Sequence, residues 1–77
     1  GEDVEEIFKG DLQLDTEART DLVAAITDAE ALQDYISREL LEKLLEVKEE
    51  RIDWLETQIS LIGNIGLPNY LQSSMDD

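Results

Sequence analysis

The sequence predicts an all-α fold, an antiparallel helical hairpin followed by a short C-terminal helix. Three observations lead to this prediction. Glycine and proline are confined to the two ends of the chain, so residues 11–62 contain no strong helix breaker. This stretch is rich in leucine, glutamate, alanine, lysine and arginine, which all favour helices. Apolar residues within it recur at spacings of three and four, as on the buried face of a helix.

The first helix is predicted over residues 4–31. The acidic start, Gly1-Glu2-Asp3, suits a helix N-terminus because the helix dipole stabilises negative charge there. Its apolar face is predicted to comprise Val4, Phe8, Leu12, Leu22, Ile26 and Ala29. A turn is expected between Glu30 and Asp34, because an unbroken helix to Ile62 would be long for a globular domain. The apolar spacing keeps its phase there, so periodicity alone also permits one continuous helix.

The second and third helices are predicted over residues 35–63 and 68–74. Asp34 can cap the second helix, since aspartate is a favoured N-cap residue. Gly63 or Gly66 can end it, and Pro68 suits the first turn of the next helix. The apolar face of the second helix is predicted to comprise Leu41, Leu44, Leu45, Leu55, Ile59 and Ile62.

Such a hairpin should need a partner. Two amphipathic helices bury only one seam, and a chain of 77 residues buries only about 60% of its unfolded surface. The sequence contains no cysteine, so no disulfide can reinforce the fold. Four helices around a common core are the usual solution. The hairpin is therefore predicted to complete a four-helix bundle with another hairpin.

Charge and composition exclude several classes of function. The net charge is −14, from 20 acidic and 6 basic residues, so phosphate backbones and anionic membranes would repel the surface. Histidine and cysteine are both absent, which removes the commonest transition-metal ligand and any thiolate nucleophile. No apolar run approaches the roughly 20 residues of a membrane span, and nothing looks like a signal peptide. Because the chain starts with Gly1 rather than Met, we expect it not to be a complete translation product.

Three ionisable residues interrupt the apolar faces. Asp15 lies midway between Phe8 and Leu22 on the first helix, and Lys48 and Arg51 lie between Leu44 and Leu55 on the second. An unpaired charge in a core costs several kcal/mol. Our preferred interpretation is that Asp15 pairs with one or both bases. The alternatives are that the long basic side chains reach the surface, or that the three line a wet, catalytic cavity.

Five segments spread along the whole chain are informative together: Gly1–Glu6, Asp34–Arg38, Glu50–Gln58, Leu61–Ile62 and Ile65–Gln72. In sequence and in order, they resemble the C-terminal half of a bacterioferritin subunit. The resemblance implies that residues 1–77 are the C-terminal half of a ferritin-like domain, with the third and fourth bundle helices and the short fifth one. The missing half would carry the first two helices.

The resemblance also implies where a metal centre would lie. Such bundles hold two metal ions with one glutamate from each of two helices and a Glu-x-x-His motif from each of the other two. The single glutamate falls at Asp15, which leaves it as a weak candidate metal ligand. The motif falls on residues 48–51, so Lys48 and Arg51 stand at both ligand positions of that helix. We therefore expect a degenerate di-iron site, with these two cations neutralising Asp15 and any acids of the missing half, and we assign no catalytic residue.

Residues beside this position have simpler interpretations. Glu46, Glu49 and Glu50 should form a solvated helix face, although in a shell such acids could help to nucleate mineral. Trp54 matches a tryptophan of the family, and packing is a commoner role for it than electron transfer. Met75 is not expected to bind haem, because the haem methionine of the family belongs to the second helix.

The function implied is that of an iron-storage subunit with a structural rather than catalytic role. The family activity is that of a ferroxidase; whether this chain is an enzyme is uncertain, and it is not expected to be active alone. Iron is the cofactor expected for the family, and haem would need the missing half and a dimer. The expected partners are the N-terminal half or other bacterioferritin-like subunits, in a homo- or hetero-oligomer such as the family's shell of about 24 subunits. A cytoplasmic location is implied.

The alternative function is a helical hairpin that oligomerises without any role in iron storage. Particle size in solution separates the two hypotheses, because a shell of many subunits differs greatly from two or four associated hairpins.

Overall fold

The computed structural model describes the backbone of residues 3–75 and the side chains of residues 3–74, and its helices follow the predicted order. Helix α1 spans Val4–Ala31, helix α2 spans Tyr35–Ile65 and helix α3 spans Leu67–Met75. Helices α1 and α2 pack against each other as a hairpin. The all-α hairpin with a short C-terminal helix is therefore confirmed.

Helix α1 begins with an aspartate cap. Asp3 has extended backbone angles, and its Oδ1 accepts a hydrogen bond of 2.9 Å from the backbone N–H of Glu6. Glu5 and Glu6 add negative charge to the first turn. Capping and charge together stabilise the free N–H groups of the helix start.

The turn between the long helices lies where it was predicted. Gln33 adopts a positive φ of 59°, and the N–H of Asp34 donates to the carbonyl of Ala29 over 2.8 Å, which closes the end of α1. Asp34 then caps α2, because its carboxylate accepts from the hydroxyl of Ser37 at 2.6 Å and from its N–H at 3.1 Å. These two bonds lower the pKa of Asp34. The sequence therefore breaks into two helices rather than one.

Helix α2 runs two residues further than the sequence predicted. Gly63 continues the helix, and Gly66, with φ of 83°, ends it. The N–H of Gly66 donates to the carbonyl of Ile62 over 2.8 Å, so the helix keeps its hydrogen bonding until the chain turns. Helix α3 begins at Leu67, one residue before the predicted start, and ends at Met75, one after the predicted end.

The hairpin core is formed by one face of each helix. On α2, one row of buried or half-buried residues recurs at spacings of four and three. We call this row the first stripe: Leu41, Leu45, Lys48, Ile52, Leu55, Ile59 and Ile62. Leu55 is the most deeply buried of them. Leu44 was assigned to this face but is 57% exposed, so that prediction is wrong. It lies about 100° from Leu45 around the helix, which turns it away from α1.

A second row of residues on α2 lies beside the first and is largely uncovered. It also keeps spacings of four and three; we call it the second stripe: Leu40, Leu44, Val47, Arg51, Trp54, Gln58, Leu61 and Ile65. The apolar members are more than a third exposed, from 64% at Val47 to 38% at Leu61 and Ile65. On α1, Ile7 and Leu14 are likewise exposed. Thus α2 has two apolar rows: the first is buried within the hairpin, and the second is largely exposed although Trp54 meets Phe8 of α1.

Tyr70 connects the short helix α3 with the open end of the hairpin. Its ring is buried and meets Phe8 edge-on at a centroid distance of 6.4 Å. Its hydroxyl donates to Gln58 Oε1 over 2.6 Å. Because Gln58 belongs to the second stripe, this hydrogen bond joins α3 to that row.

The described molecule is elongated, measuring 51 × 25 × 19 Å. Within residues 3–75, no helix has both the length and the apolar character needed to cross a membrane.

Candidate functional site

The three ionisable residues predicted to face the core form one cluster. Asp15 is 8% exposed on α1, and both of its carboxylate oxygens contact bases on α2. Lys48 Nζ donates to Oδ1 over 3.0 Å, and Arg51 Nε donates to Oδ2 over 2.6 Å. The prediction that Asp15 pairs with one or both bases is therefore confirmed, and the structure shows that it pairs with both.

A fourth member of the cluster, Asp11, was missed by the sequence reasoning. Its Oδ2 lies 3.5 Å from Arg51 Nη2. The signal was present, because Asp11 precedes Asp15 by one helical turn and so shares its face. Two carboxylates now balance two cations, so the cluster is formally neutral without any contribution from another chain.

The two bases occupy different faces of α2. Lys48 belongs to the first stripe, and 29% of its side chain is exposed. Arg51 belongs to the second stripe, and 54% of its side chain is exposed even though its Nε reaches back to Asp15. Lys48 is therefore a residue of the hairpin seam, whereas Arg51 connects the seam with the uncovered face.

The cluster keeps Asp15 ionised. Burial raises the pKa of a carboxyl group, because it disfavours the charged form. The hydrogen bonds from Lys48 and Arg51, together with their positive charges, outweigh burial, so the pKa of Asp15 lies below its ordinary value. The carboxylate therefore stays negative and remains paired at neutral pH.

These residues do not fit the ligand set of a di-iron centre. Across residues 3–75 no three His, Cys, Asp or Glu side chains lie close enough to hold a metal ion. Both oxygens of Asp15 face cations, arginine is always protonated, and lysine can donate a lone pair only after deprotonation. Geometry and charge together oppose metal binding by this cluster.

The other residues considered from the sequence lie outside the cluster. Glu46, Glu49 and Glu50 are exposed on α2. Trp54 meets Phe8 edge-on at a centroid distance of 5.5 Å, which is a packing contact. The side chain of Met75 lies outside the described part of the chain.

Comparison with known proteins places the chain in one family. Residues 1–65 match the profile of the ferritin family, described as the ferritin-like domain. A bacterial ferritin from a Synechocystis species is 45% identical over 76 residues, which are 97% of this chain and 49% of that protein. The bacterial ferritin of Pseudomonas aeruginosa is 38% identical with the same coverage. The bacterioferritin of Mycobacterium leprae is 39% identical over 66 residues, which are 86% of this chain and 42% of that protein.

The chain spans about half the length of the curated relatives that it matches. Its hairpin of two long helices and its short C-terminal helix agree with a ferritin-like fold. From the match over residues 1–65 and the architecture together, the chain belongs to the ferritin-like family.

Proposed function

We propose that this chain forms half of the helical bundle of a bacterioferritin-like iron-storage subunit, in which its role is structural rather than catalytic. One observation carries the proposal: Lys48 and Arg51 occupy both oxygens of Asp15, the carboxylate that the family resemblance places at a metal-ligand position. The di-iron site is degenerate because protein cations stand where metal ions would be held.

Electrostatics explains why this arrangement suits a structural role. Two unit charges of like sign repel, and the repulsion grows as water is excluded from between them. A divalent iron ion near Asp15 would meet two cations at short range, whereas the present cluster is already neutral. Ion pairs between Asp15 and the two bases thus take the place of a metal ion in joining α1 to α2.

The remaining half of the bundle comes from a second hairpin that covers the second stripe. That hairpin belongs to the N-terminal half of such a subunit or to another bacterioferritin-like subunit. The assembled subunits form a closed shell of about 24 copies that stores iron in the cytoplasm. Any ferroxidase activity in a mixed shell belongs to competent neighbouring subunits.

A double variant tests the degenerate site directly. Replacing Lys48→Glu and Arg51→His places an acid and an imidazole opposite Asp15, so three ligands from two helices converge. We expect this double variant to bind Co²⁺ with the absorption bands of a protein-coordinated ion, and the unmodified chain to show none. The matched control is Lys48→Gln with Arg51→Gln, which removes the same two cations without adding an acid or an imidazole and should bind no Co²⁺.

Crystals soaked in Fe²⁺ provide an independent check. Iron located by anomalous scattering within bonding distance of Asp15 in the unmodified chain would contradict the proposal. Light scattering of the purified protein tests the assembly, because an iron-storage shell contains many subunits. A species of only two or four hairpins that stores no iron would instead support a simple oligomerisation module.

A further inference from the structure

We infer that residues 32–36 form a hinge at which the hairpin opens, so that two copies of the chain exchange helix α2 and form a swapped dimer. In this dimer, Asp15 of one copy pairs with Lys48 and Arg51 of the other copy, and the candidate site is shared between two chains. The inference goes beyond the proposed function and does not depend on it. It rests on the backbone of the turn, its sequence and its exposed side chains.

The backbone of the turn carries strain that a swapped dimer would release. Only residues 32–34 join α1 to α2. The N–H groups of Gln33 and Asp34 donate to the carbonyls of Glu30 and Ala29, and this type of helix end requires a positive φ at Gln33, here 59°. Glycine usually fills such a position, because a Cβ makes the left-handed conformation unfavourable. Short hinges under strain favour the exchange of elements between copies.

The sequence of the turn does not require the chain to reverse there. Residues 11–62 contain neither glycine nor proline, so the turn residues also tolerate a helical or an extended backbone. The two hydrogen bonds from Ser37 to Asp34 lie on one side of the turn and survive opening. The ion pair of 3.5 Å between Arg38 and Glu30 crosses the turn and would be lost, but it lies at the surface and contributes little.

The exposed side chains at the tip give the swapped dimer contacts that the closed hairpin lacks. Leu32 and Ile36 are 79% and 78% exposed, more than any other large apolar residue of the described chain. In a swapped dimer the two hinges pass each other at the two-fold axis, where these side chains meet their counterparts. The α1–α2 seam is re-formed between the copies. The released strain and the apolar area buried at the tip therefore offset the cost of bringing two chains together.

A distance measurement distinguishes a swapped dimer from two closed hairpins side by side. The chain has no cysteine, so Lys9→Cys with Asp53→Cys gives two attachment sites for spin labels at exposed positions. In the closed hairpin the labels lie at the same level of neighbouring helices, because Phe8 contacts Trp54. In an opened chain they are about 65 Å apart, since the 44 residues between positions 9 and 53 rise about 1.5 Å each.

The labelled chain is unfolded, mixed with a large excess of unlabelled chain and refolded at millimolar concentration, so that each labelled dimer contains one labelled copy. We expect electron–electron double resonance to give the long distance in the dimer fraction from gel filtration and a short distance in the monomer fraction. A dimer that keeps the short distance would overturn the inference, and so would the absence of any dimer.

Position 33 tests the role of strain. Glycine relieves the strain of the closed turn and weakens a helical hinge, whereas alanine keeps the Cβ and loses the same carboxamide. We expect sedimentation equilibrium to show at least tenfold weaker dimerisation for Gln33→Gly than for Gln33→Ala, and equal values would contradict a strained hinge.

Substitutions of exposed leucines test the contacts at the tip. Leu32→Gln should weaken dimerisation, whereas Leu14→Gln, at a position 65% exposed and remote from the hinge, should not. Equal weakening by both would show that closed hairpins pack along their exposed face, against the inference.

Discussion

At the scale of single residues, Asp15 determines how two cations can be accommodated in a small helical core. It is the one charged residue among the buried side chains of the described chain, and each of its oxygens serves a different base. A charge-assisted hydrogen bond contributes more than a neutral one, but removing one partner of a buried pair also leaves the other partner unsatisfied. The stability of the α1–α2 seam at this level should therefore depend on Asp15 more than on either base.

Asp15→Asn tests this dependence. Asparagine keeps the shape and one acceptor oxygen but removes the charge and leaves one base without its acceptor. We expect the free energy of unfolding at neutral pH to fall by about 1–3 kcal/mol. The fall should be at the lower end of this range if water hydrates the basic groups that lose their acceptor. Urea unfolding followed by circular dichroism measures the change. Asp11→Asn is the control, because its exposed contact at 3.5 Å should be worth about 1 kcal/mol or less.

The stabilising effect of Asp15 should also depend on pH, with a definite sign. Its pKa is lower in the folded chain than in the unfolded chain, so the unfolded state binds more protons as the solution becomes acidic. The stability due to Asp15 is thus fully present above the ordinary pKa of about 3.9 and is lost as the pH falls through the folded value. The difference in the free energy of unfolding between the unmodified chain and Asp15→Asn should therefore disappear as the pH is lowered. A constant gap would show that packing, rather than charge, causes the difference.

At the scale of elements, the two glycines near the end of α2 have opposite roles. Gly66 has φ of 83° and ψ of 151°, a conformation that side-chain-bearing residues avoid, and it separates α2 from α3. Gly63 lies within α2, and a Cβ added there would have nothing within 4 Å. The position of α3 thus depends on only one of these glycines.

Alanine substitutions at the two positions should therefore change stability in opposite directions. Gly66→Ala should destabilise the chain by about 1–3 kcal/mol through backbone strain. Gly63→Ala should stabilise it by about 0.5–1 kcal/mol, because alanine loses less conformational freedom in a helix. Thermal unfolding followed by circular dichroism gives the sign of each effect. Changes of the same sign at both positions would contradict the structural roles assigned to them.

The elements show how far the sequence alone could lead. The caps at Asp3 and Asp34 act within a few residues, so the helix starts were predictable from local chemistry. The choice between Gly63 and Gly66 was not, because either glycine can take a positive φ and only tertiary packing of α3 through Tyr70 decides between them. The predicted second helix therefore ended two residues early.

The candidate site was predictable in composition but not in arrangement. Spacing placed Asp15, Lys48 and Arg51 near the core, and their opposite charges indicated pairing. A single apolar face was assumed for α2, so Leu44 was counted as core and Arg51 was grouped with Lys48. The two interleaved rows have the same spacing of four and three, and periodicity cannot show which of them packs against α1. Only the orientation of the hairpin separates Lys48 from Arg51.

At the scale of the whole molecule, charge and shape act in the same direction. A net charge of −14 is spread over an elongated molecule that buries few side chains completely. Most of its ion pairs join residues within one helix or lie on the surface, where each contributes little. Mutual repulsion of acids should therefore oppose folding more than these ion pairs support it.

Salt should consequently stabilise the chain. The screening length falls from about 30 Å at 0.01 M salt to about 8 Å at 0.15 M, so salt weakens the repulsion between distant acids. The contacts of Lys48 and Arg51 with Asp15, at 3.0 and 2.6 Å, are half-buried and are screened much less. We expect the midpoint of thermal unfolding to rise with sodium chloride, which avoids the additional stabilisation that sulfate gives to apolar burial. Replacing Glu46, Glu49 and Glu50 by glutamine should reduce the response, because these exposed acids contribute to the repulsion on α2. A midpoint that falls as salt is added would instead show that the ion pairs dominate the electrostatics of the molecule.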